Sequence, residues 1–203
     1  MSTNFAHENI AYWTKRAPSY SQVNQEELKT GQRAVWKDTL DSRIRAHFPS
    51  RPRGEIRVLD IGTGPGFFAI ILAELGYRVT AVDYTQAMLE QARENAGSLA
   101  GQIDFLRMNA EELSFPDGSF DVVVSRNLTW NLRAPGKAYG HWARVLKENG
   151  LLLNFDANWY RYLYDAQAEA GHRADRENVR QSSAADDTAG TDVAAMEAIA
   201  QQA

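Results

Sequence analysis

The amino-acid sequence predicts an α/β domain built on a doubly wound, mostly parallel sheet with helices on both faces. Three observations carry that expectation. From Ile56 to Asp156, short apolar and β-branched runs alternate with helical patterns, the order in which crossover helices cover both faces of a parallel sheet. The first run passes directly into a glycine turn, Gly62-Thr63-Gly64-Pro65-Gly66, and then into a helical segment. The second run ends in an acid, Asp83. A chain of 203 residues has length for one such domain with a substantial core, and not for two.

Taken in order, residues 1–50 are polar with scattered aromatics, and helical spacing runs from about Asn24 to His47. Val35, Trp36, Leu40 and Ile44 recur at three- to four-residue intervals as its apolar stripe, and Pro49 and Pro52 end it. Strands are expected near 56–61, 78–83, 103–108, 120–125 and 150–156. Helices are expected near 66–75, where Gly76 is the cap, near 86–96 and near 135–148. The tail differs. After Tyr164 there is no aromatic residue, alanine supplies twelve of the last 39 positions, and eight acids stand against three arginines. That composition suits a solvated helix or disorder and not a strand.

Bulk properties narrow the function. Formal net charge is −4 and pI about 5.6, so no global field attracts nucleic acid. With no cysteine there is no disulfide, thiolate metal site or cysteine nucleophile. His7, His47, His141 and His172 are not spaced as metal ligands, and His141 reads as a structural mid-helix residue. Met1 to Glu8 have neither the basic nor the apolar region of an export signal. The longest apolar run, Phe67 to Ala73, is far below the roughly 18 residues a membrane span needs. A cytoplasmic enzyme acting on a small molecule is the expectation.

The strand–glycine–helix–strand–acid order is suited to a nucleoside. The glycines let the backbone approach a ligand, the helix N-terminus faces it, and Asp83 can take both ribose hydroxyls. Spacing then discriminates between nucleosides. In the dinucleotide fingerprint G-x-G-x-x-G the third glycine allows close helix packing, and here that position is Phe67. An NAD-dependent oxidoreductase is thereby disfavoured.

The run Val58-Leu59-Asp60-Ile61-Gly62-Thr63-Gly64-Pro65-Gly66 resembles motif I of the class I S-adenosylmethionine-dependent methyltransferases, of the small-molecule type 11-like kind. Ile103 to Ser125, with its Pro116-Asp117-Gly118 turn, is similar to that family's third strand, adenine-binding turn and fourth strand, and Ala138 to Leu153, with Arg144-Val145-Leu146-Lys147-Glu148-Asn149-Gly150, to the helix before its fifth strand and that strand. The resemblance covers roughly residues 10 to 165. It implies a Rossmann-like methyltransferase fold with S-adenosyl-L-methionine as cofactor. The implied organisation is an N-terminal helical lid over 1–50, a cofactor-binding α/β domain over 51–164 and a helical or disordered tail over 165–203. The family usually ends its sheet with an antiparallel pair of strands, and no strand-like run follows Asp156. A shortened form of a longer protein is therefore expected, with an uncovered sheet edge that would favour a homodimer.

The resemblance also assigns roles. Asp60 would order the glycine loop and reach the cofactor's amino group, its plain alternative being a cap on the loop's own amides. Gly62, Thr63 and Gly64 would lie against the cofactor, and Gly66 would shape the turn. Tyr84 and Met88 would pack the adenine, although Met88 suits the core equally. Asn109 stands where the family more often has an acid that accepts from the adenine amino group, with Ala110 and Glu111 beside it. Trp13, Arg16 and Tyr20 would close over the cofactor from the N-terminal segment, or merely anchor a helix. Arg126 leaves the fourth strand at the same face, to cross the cofactor floor, to bind a substrate carboxylate, or to pair with a surface acid. Segments 127–131 and 154–160 are expected to face the same pocket, and Asp156 is the one acid nominated as a general base. The expected reaction is methyl transfer to a small acceptor. A non-catalytic binding or scaffold protein is the alternative.

Overall fold

The computed structural model describes residues 3–158, 160–181 and 193–202. Its elements run α1 (Thr3–Lys29), α2 (Gly31–His47), β1 (Arg57–Ile61), α3 (Phe67–Glu74), β2 (Arg78–Asp83), α4 (Gln86–Ala96), β3 (Ile103–Arg107), β4 (Phe120–Arg126), α5 (Pro135–Val145), β5 (Leu146–Phe155), α6 (Ala166–Gln181) and α7 (Val193–Gln202). The five strands form one parallel sheet in the order β3-β2-β1-β4-β5. Chain direction across the sheet reverses between β1 and β4, so a crevice opens beyond their carboxyl ends.

Alternation along the strands divides the core between two faces. Val58, Val122 and Val124 pack with Leu40, Ile44 and the apolar helix α3 on one side. Leu59, Ile61 and Val123 pack with Ala138, Trp142 and Val145 of α5 on the other. Polar stitching holds the lower end: buried Asp121 accepts from Arg51 (2.7 Å), Lys147 (2.9 Å) and the Arg57 amide (2.9 Å).

Two boundaries differ from those expected. The helical pattern from Asn24 to His47 is broken at Thr30, whose extended backbone and side chain cap α2 by accepting from the Gln32 amide. The residues before it, polar as they are, form the long α1. At the other end α5 stops at Val145 and not near 148. Leu146 already pairs with Phe120, and the ladder then slips so that Val122 pairs with Leu151. Gly150 permits this bulge, since a Cβ there would lie 2.9 Å from Leu146 Cδ2 and from the Lys147 carbonyl oxygen. Among the described residues no strand follows β5; α6 and α7 are helices, and residues 182–192 of the tail lie outside the description.

Candidate active site

The glycine turn is anchored by two amides, Gly62 and Thr63, which both donate to the Val82 carbonyl at 2.9 and 3.0 Å. Gly62, Gly64 and Gly66 have φ of 68°, 52° and 93°, in the left-handed region that favours glycine. Their surroundings separate their roles. Gly62 and Gly64 line a pocket of about 320 Å³ at the crevice. Gly66 instead packs on α4, where a Cβ would come within 3.1 Å of Ala92. Close helix packing is therefore provided by Gly66, one residue before Phe67, which is buried in the core.

Asp83 faces the same pocket from the end of β2. Its two carboxylate oxygens accept from the Gly64 amide (2.9 Å) and the Thr85 amide (2.8 Å), which fixes the plane of the group and leaves further lone pairs for a ligand. Burial raises its pKa to about 6, against those amide bonds. Asp60 lies deeper, 2% exposed, and accepts from Thr63 Oγ1 at 2.7 Å. Burial there raises the pKa to about 7. Its partners are the Thr63 hydroxyl of the loop and the Ala69 amide of α3.

Tyr84, Met88, Asn109, Ala110 and Glu111 all line the pocket. Met88 is 2% exposed and belongs to pocket wall and core alike. Asn109 Oδ1 accepts from the Glu111 amide (3.0 Å), so its carbonyl, expected to accept from a ligand, already serves the turn. Glu111 in turn accepts from the amides of Arg133 (2.7 Å) and Ala134 (3.0 Å) and holds the approach to α5. The Ala110 carbonyl accepts from the buried Trp142 indole at 2.9 Å.

Helix α1 closes the crevice from above, with Phe5, Asn9, Trp13 and Tyr20 among the pocket walls. Arg126 also lines it, but its guanidinium is committed in a bidentate pair to Glu27 of α1 and sits 4.6 Å from the Phe67 ring centroid. Arg16 does not reach the pocket; it is buried, donates to Ser19 and lies over the Tyr20 ring. The segment after β5 departs most from expectation. Phe155, the last residue of β5, packs into the core against Trp36 and Phe68, and exposed Asp156, not itself among the pocket walls, accepts from the Thr129 amide and hydroxyl. Trp159 lies outside the described residues. Asn127, Leu128 and Asn131 do line the pocket, as expected of the segment after β4. Glu27 and Asn24 were not singled out from sequence. A helical face aimed at the sheet is the signal for both, and it becomes readable only once α1 is placed. Among the described residues no three His, Cys, Asp or Glu are grouped to hold a metal, and no helix is long and apolar enough to cross a membrane.

The model of a methyltransferase domain matches residues 59–154, from the first strand through the glycine loop and Asp83 to the fifth strand. Over that stretch the chain carries a methyltransferase domain. Over 139 residues it is 39% identical to a ubiquinone/menaquinone biosynthesis C-methyltransferase of Methylobacterium nodulans, covering 64% of this chain and 52% of that one. A demethylmenaquinone methyltransferase of Deinococcus radiodurans is 38% identical over 139 residues, 68% of this chain and 55% of the relative. The solved structure of the PH0226 protein from Pyrococcus horikoshii superposes with a TM-score of 0.56 at 25% identity, covering 68% of this chain and 64% of that one. The chain thus spans about half the length of the curated relatives it matches.

For this methyltransferase chain the walls fit the family's cofactor. An anchored carboxylate, Asp83, ends β2 at the crevice, and apolar Met88 and Ala110 line the same pocket. The third glycine of the loop stands at Gly66, one residue short of the dinucleotide spacing, where Phe67 falls, and a cofactor without phosphates does not need that spacing.

Proposed function

We propose that this chain binds S-adenosylmethionine in the crevice and transfers its methyl group to a small hydroxylated aromatic acceptor. The observation that carries the reading is Asp83, its carboxylate pinned by Gly64 and Thr85 at the mouth of the glycine loop. In this reading Asp83 accepts from the ribose hydroxyls, Tyr84, Met88 and Ala110 pack the base, and the Gly62–Gly64 backbone lies along the amino-acid tail. The bound cofactor supplies a methyl group on a positively charged sulfur that leaves neutral.

Chemistry of that kind asks the protein for alignment more than for acid catalysis. With Asp156 committed to the Thr129 turn, we assign no general base. An aromatic acceptor agrees with that, because an ionised ring hydroxyl makes its own ring carbon nucleophilic. Two further points support this acceptor class: the names of the quinone-pathway relatives, and the Trp13 and Tyr20 rings, centroids 5.6 Å apart, that wall the pocket. Ring faces also favour a sulfonium.

A second reading is a chain that binds the cofactor without turnover, favoured by an outer edge of β5 on which no described strand pairs. Calorimetry with S-adenosylmethionine, S-adenosylhomocysteine and NAD, followed by transfer of labelled methyl to a naphthoquinol, separates the readings. Binding of the sulfur nucleosides with transfer supports the proposal, binding without transfer supports the second reading, and preference for NAD rejects both.

A further inference from the structure

Helix α1 is held differently on the two sides of Pro18, which lies inside it. After Pro18, Ser21 and Gln25 meet Asn95 of α4 at 3.3 and 2.7 Å, and Glu27 pairs with Arg126. Before it lie Phe5, Asn9 and Trp13, all of them pocket walls. Proline has no amide to donate to the Thr14 carbonyl, which weakens the helix between the two halves. The first half rests on the short 3₁₀ turn Thr129–Asn131 that follows β4. Asn9 donates to Asn131 Oδ1 at 2.9 Å, and the Trp13 and Trp130 ring centroids are 6.3 Å apart. That turn rests in its turn on the far end of the chain. Helix α7 packs against it and against α1. One face of α7 points inward, since Met196 is 7% exposed while Ala194 and Ala198 on either side are exposed. Glu197 beside it accepts from the Tyr162 hydroxyl at 2.9 Å. From Tyr162 a run of rings leads back through Tyr160 (6.0 Å) to Trp130 (5.0 Å).

We propose that α7 is a positioning element of the site: packed on the 129–131 turn, it keeps Asn131, and through that turn Asn9 and Trp13, over a bound nucleoside. The role rests on the S-adenosylmethionine reading above. Tyr162, Met196 and Glu197 lie beyond 59–154, the stretch matched by the family model, and none of them is among the pocket walls. They act by setting the fraction of molecules in which the first half of α1 is in place, and apparent affinity scales with that fraction.

The test uses the full chain with S-adenosylhomocysteine as probe, and measures its dissociation rate and amide hydrogen exchange. Met196→Asp puts a charge on the buried face of α7 and should lift the helix. It is expected to speed dissociation about fivefold or more, the low end of coupling between distinct sites. Exchange should quicken in residues 5–14 and 128–132 and stay as in wild type in β1–β4. Met196→Leu keeps an apolar side chain of similar volume and is expected to stay within about twofold of wild type. The proposal is overturned if Met196→Asp leaves both measurements unchanged, if exchange rises equally through β1–β4, or if Met196→Leu loses as much as Met196→Asp. It is overturned too if α7 of the wild-type protein exchanges as fast as an unfolded chain. Should the wild-type protein bind no S-adenosylhomocysteine, the cofactor reading itself fails, and exchange in 5–14 and 128–132 then decides the hold of α7 on its own.

Discussion

Arg126, the last residue of β4, donates two hydrogen bonds to Glu27 on α1, and so ties the N-terminal helix across the mouth of the crevice. Each side chain is about one-fifth exposed, and the guanidinium also lies 5.0 Å from the Trp36 ring centroid and 4.6 Å from that of Phe67. The pair spans 99 positions of sequence, so it reports tertiary closure and not local folding.

Breaking this pair should loosen α1. Glu27→Ala leaves the largely enclosed Arg126 without its carboxylate, and a loss of about 1–2 kcal/mol in stability is expected after discounting for solvent access. Denaturant unfolding measures that loss, and limited proteolysis within residues 3–29 should quicken. A variant as resistant as wild type would show that the pair does not hold the helix down.

Asp83 is expected to govern nucleoside affinity. Asp83→Ala should weaken S-adenosylhomocysteine by about 1.5–3 kcal/mol. Its carboxyl must be ionised to accept from two hydroxyls, and its pKa is raised to about 6 by burial. Affinity should therefore rise as pH increases from 5 to 7 and then level off, and Asp83→Asn should flatten that rise. A wild-type dissociation constant that does not move over this range removes the assignment.

Asp60 should leave its mark on stability against pH. Folded, it holds a proton up to about pH 7, whereas the unfolded carboxyl loses it near 4. Between those values the folded state binds more protons, so stability falls as pH rises, by at most about 1.4 kcal/mol per pH unit from this group. Above pH 7 its slope vanishes. Asp60→Asn keeps an acceptor for Thr63 and should be less pH-sensitive than wild type from 4 to 7 in chemical denaturation.

Two glycines should separate binding from folding. Gly64, at φ 52° and lining the pocket, has room beside it, a Cβ meeting only Tyr20 at 3.7 Å. Gly64→Val should abolish nucleoside binding while the protein still folds, at a backbone cost of about 1–2 kcal/mol. Gly150→Ala should do the reverse, lowering the melting temperature through its 2.9 Å clash with the Lys147 carbonyl while folded protein binds normally. Normal binding by Gly64→Val would sink the motif I reading.

Asp121 should contribute stability that acid removes. Burial alone would raise its pKa, but Arg51, the Arg57 amide and Lys147 outweigh that and hold it at about 2. Its contribution is present above the unfolded value near 4 and is lost as pH falls towards 2. Asp121→Asn should cost about 1–3 kcal/mol at pH 7 and much less at pH 2.5. Equal losses at both pH values would contradict the ion-pair account.

By itself the sequence determined the strands, the glycine turn and the acid that ends β2. Each of these follows from rules acting over a few residues: alternation of apolar side chains, left-handed backbone at glycine, and the place of a strand's last residue. Gly62, Gly64, Asp83, Met88 and Ala110 therefore reached the pocket where sequence reasoning put them. Only the tertiary structure decided what comes from far along the chain. Asp156, nominated from sequence as a general base, accepts from the Thr129 amide and hydroxyl. Arg126, a candidate ligand group, meets Glu27 first. Asn24, one polar residue among many in a polar helix, becomes a buried acceptor because α1 lies over the glycine loop. Helical periodicity says which residues share a face, but which surface that face covers is set by packing against the sheet.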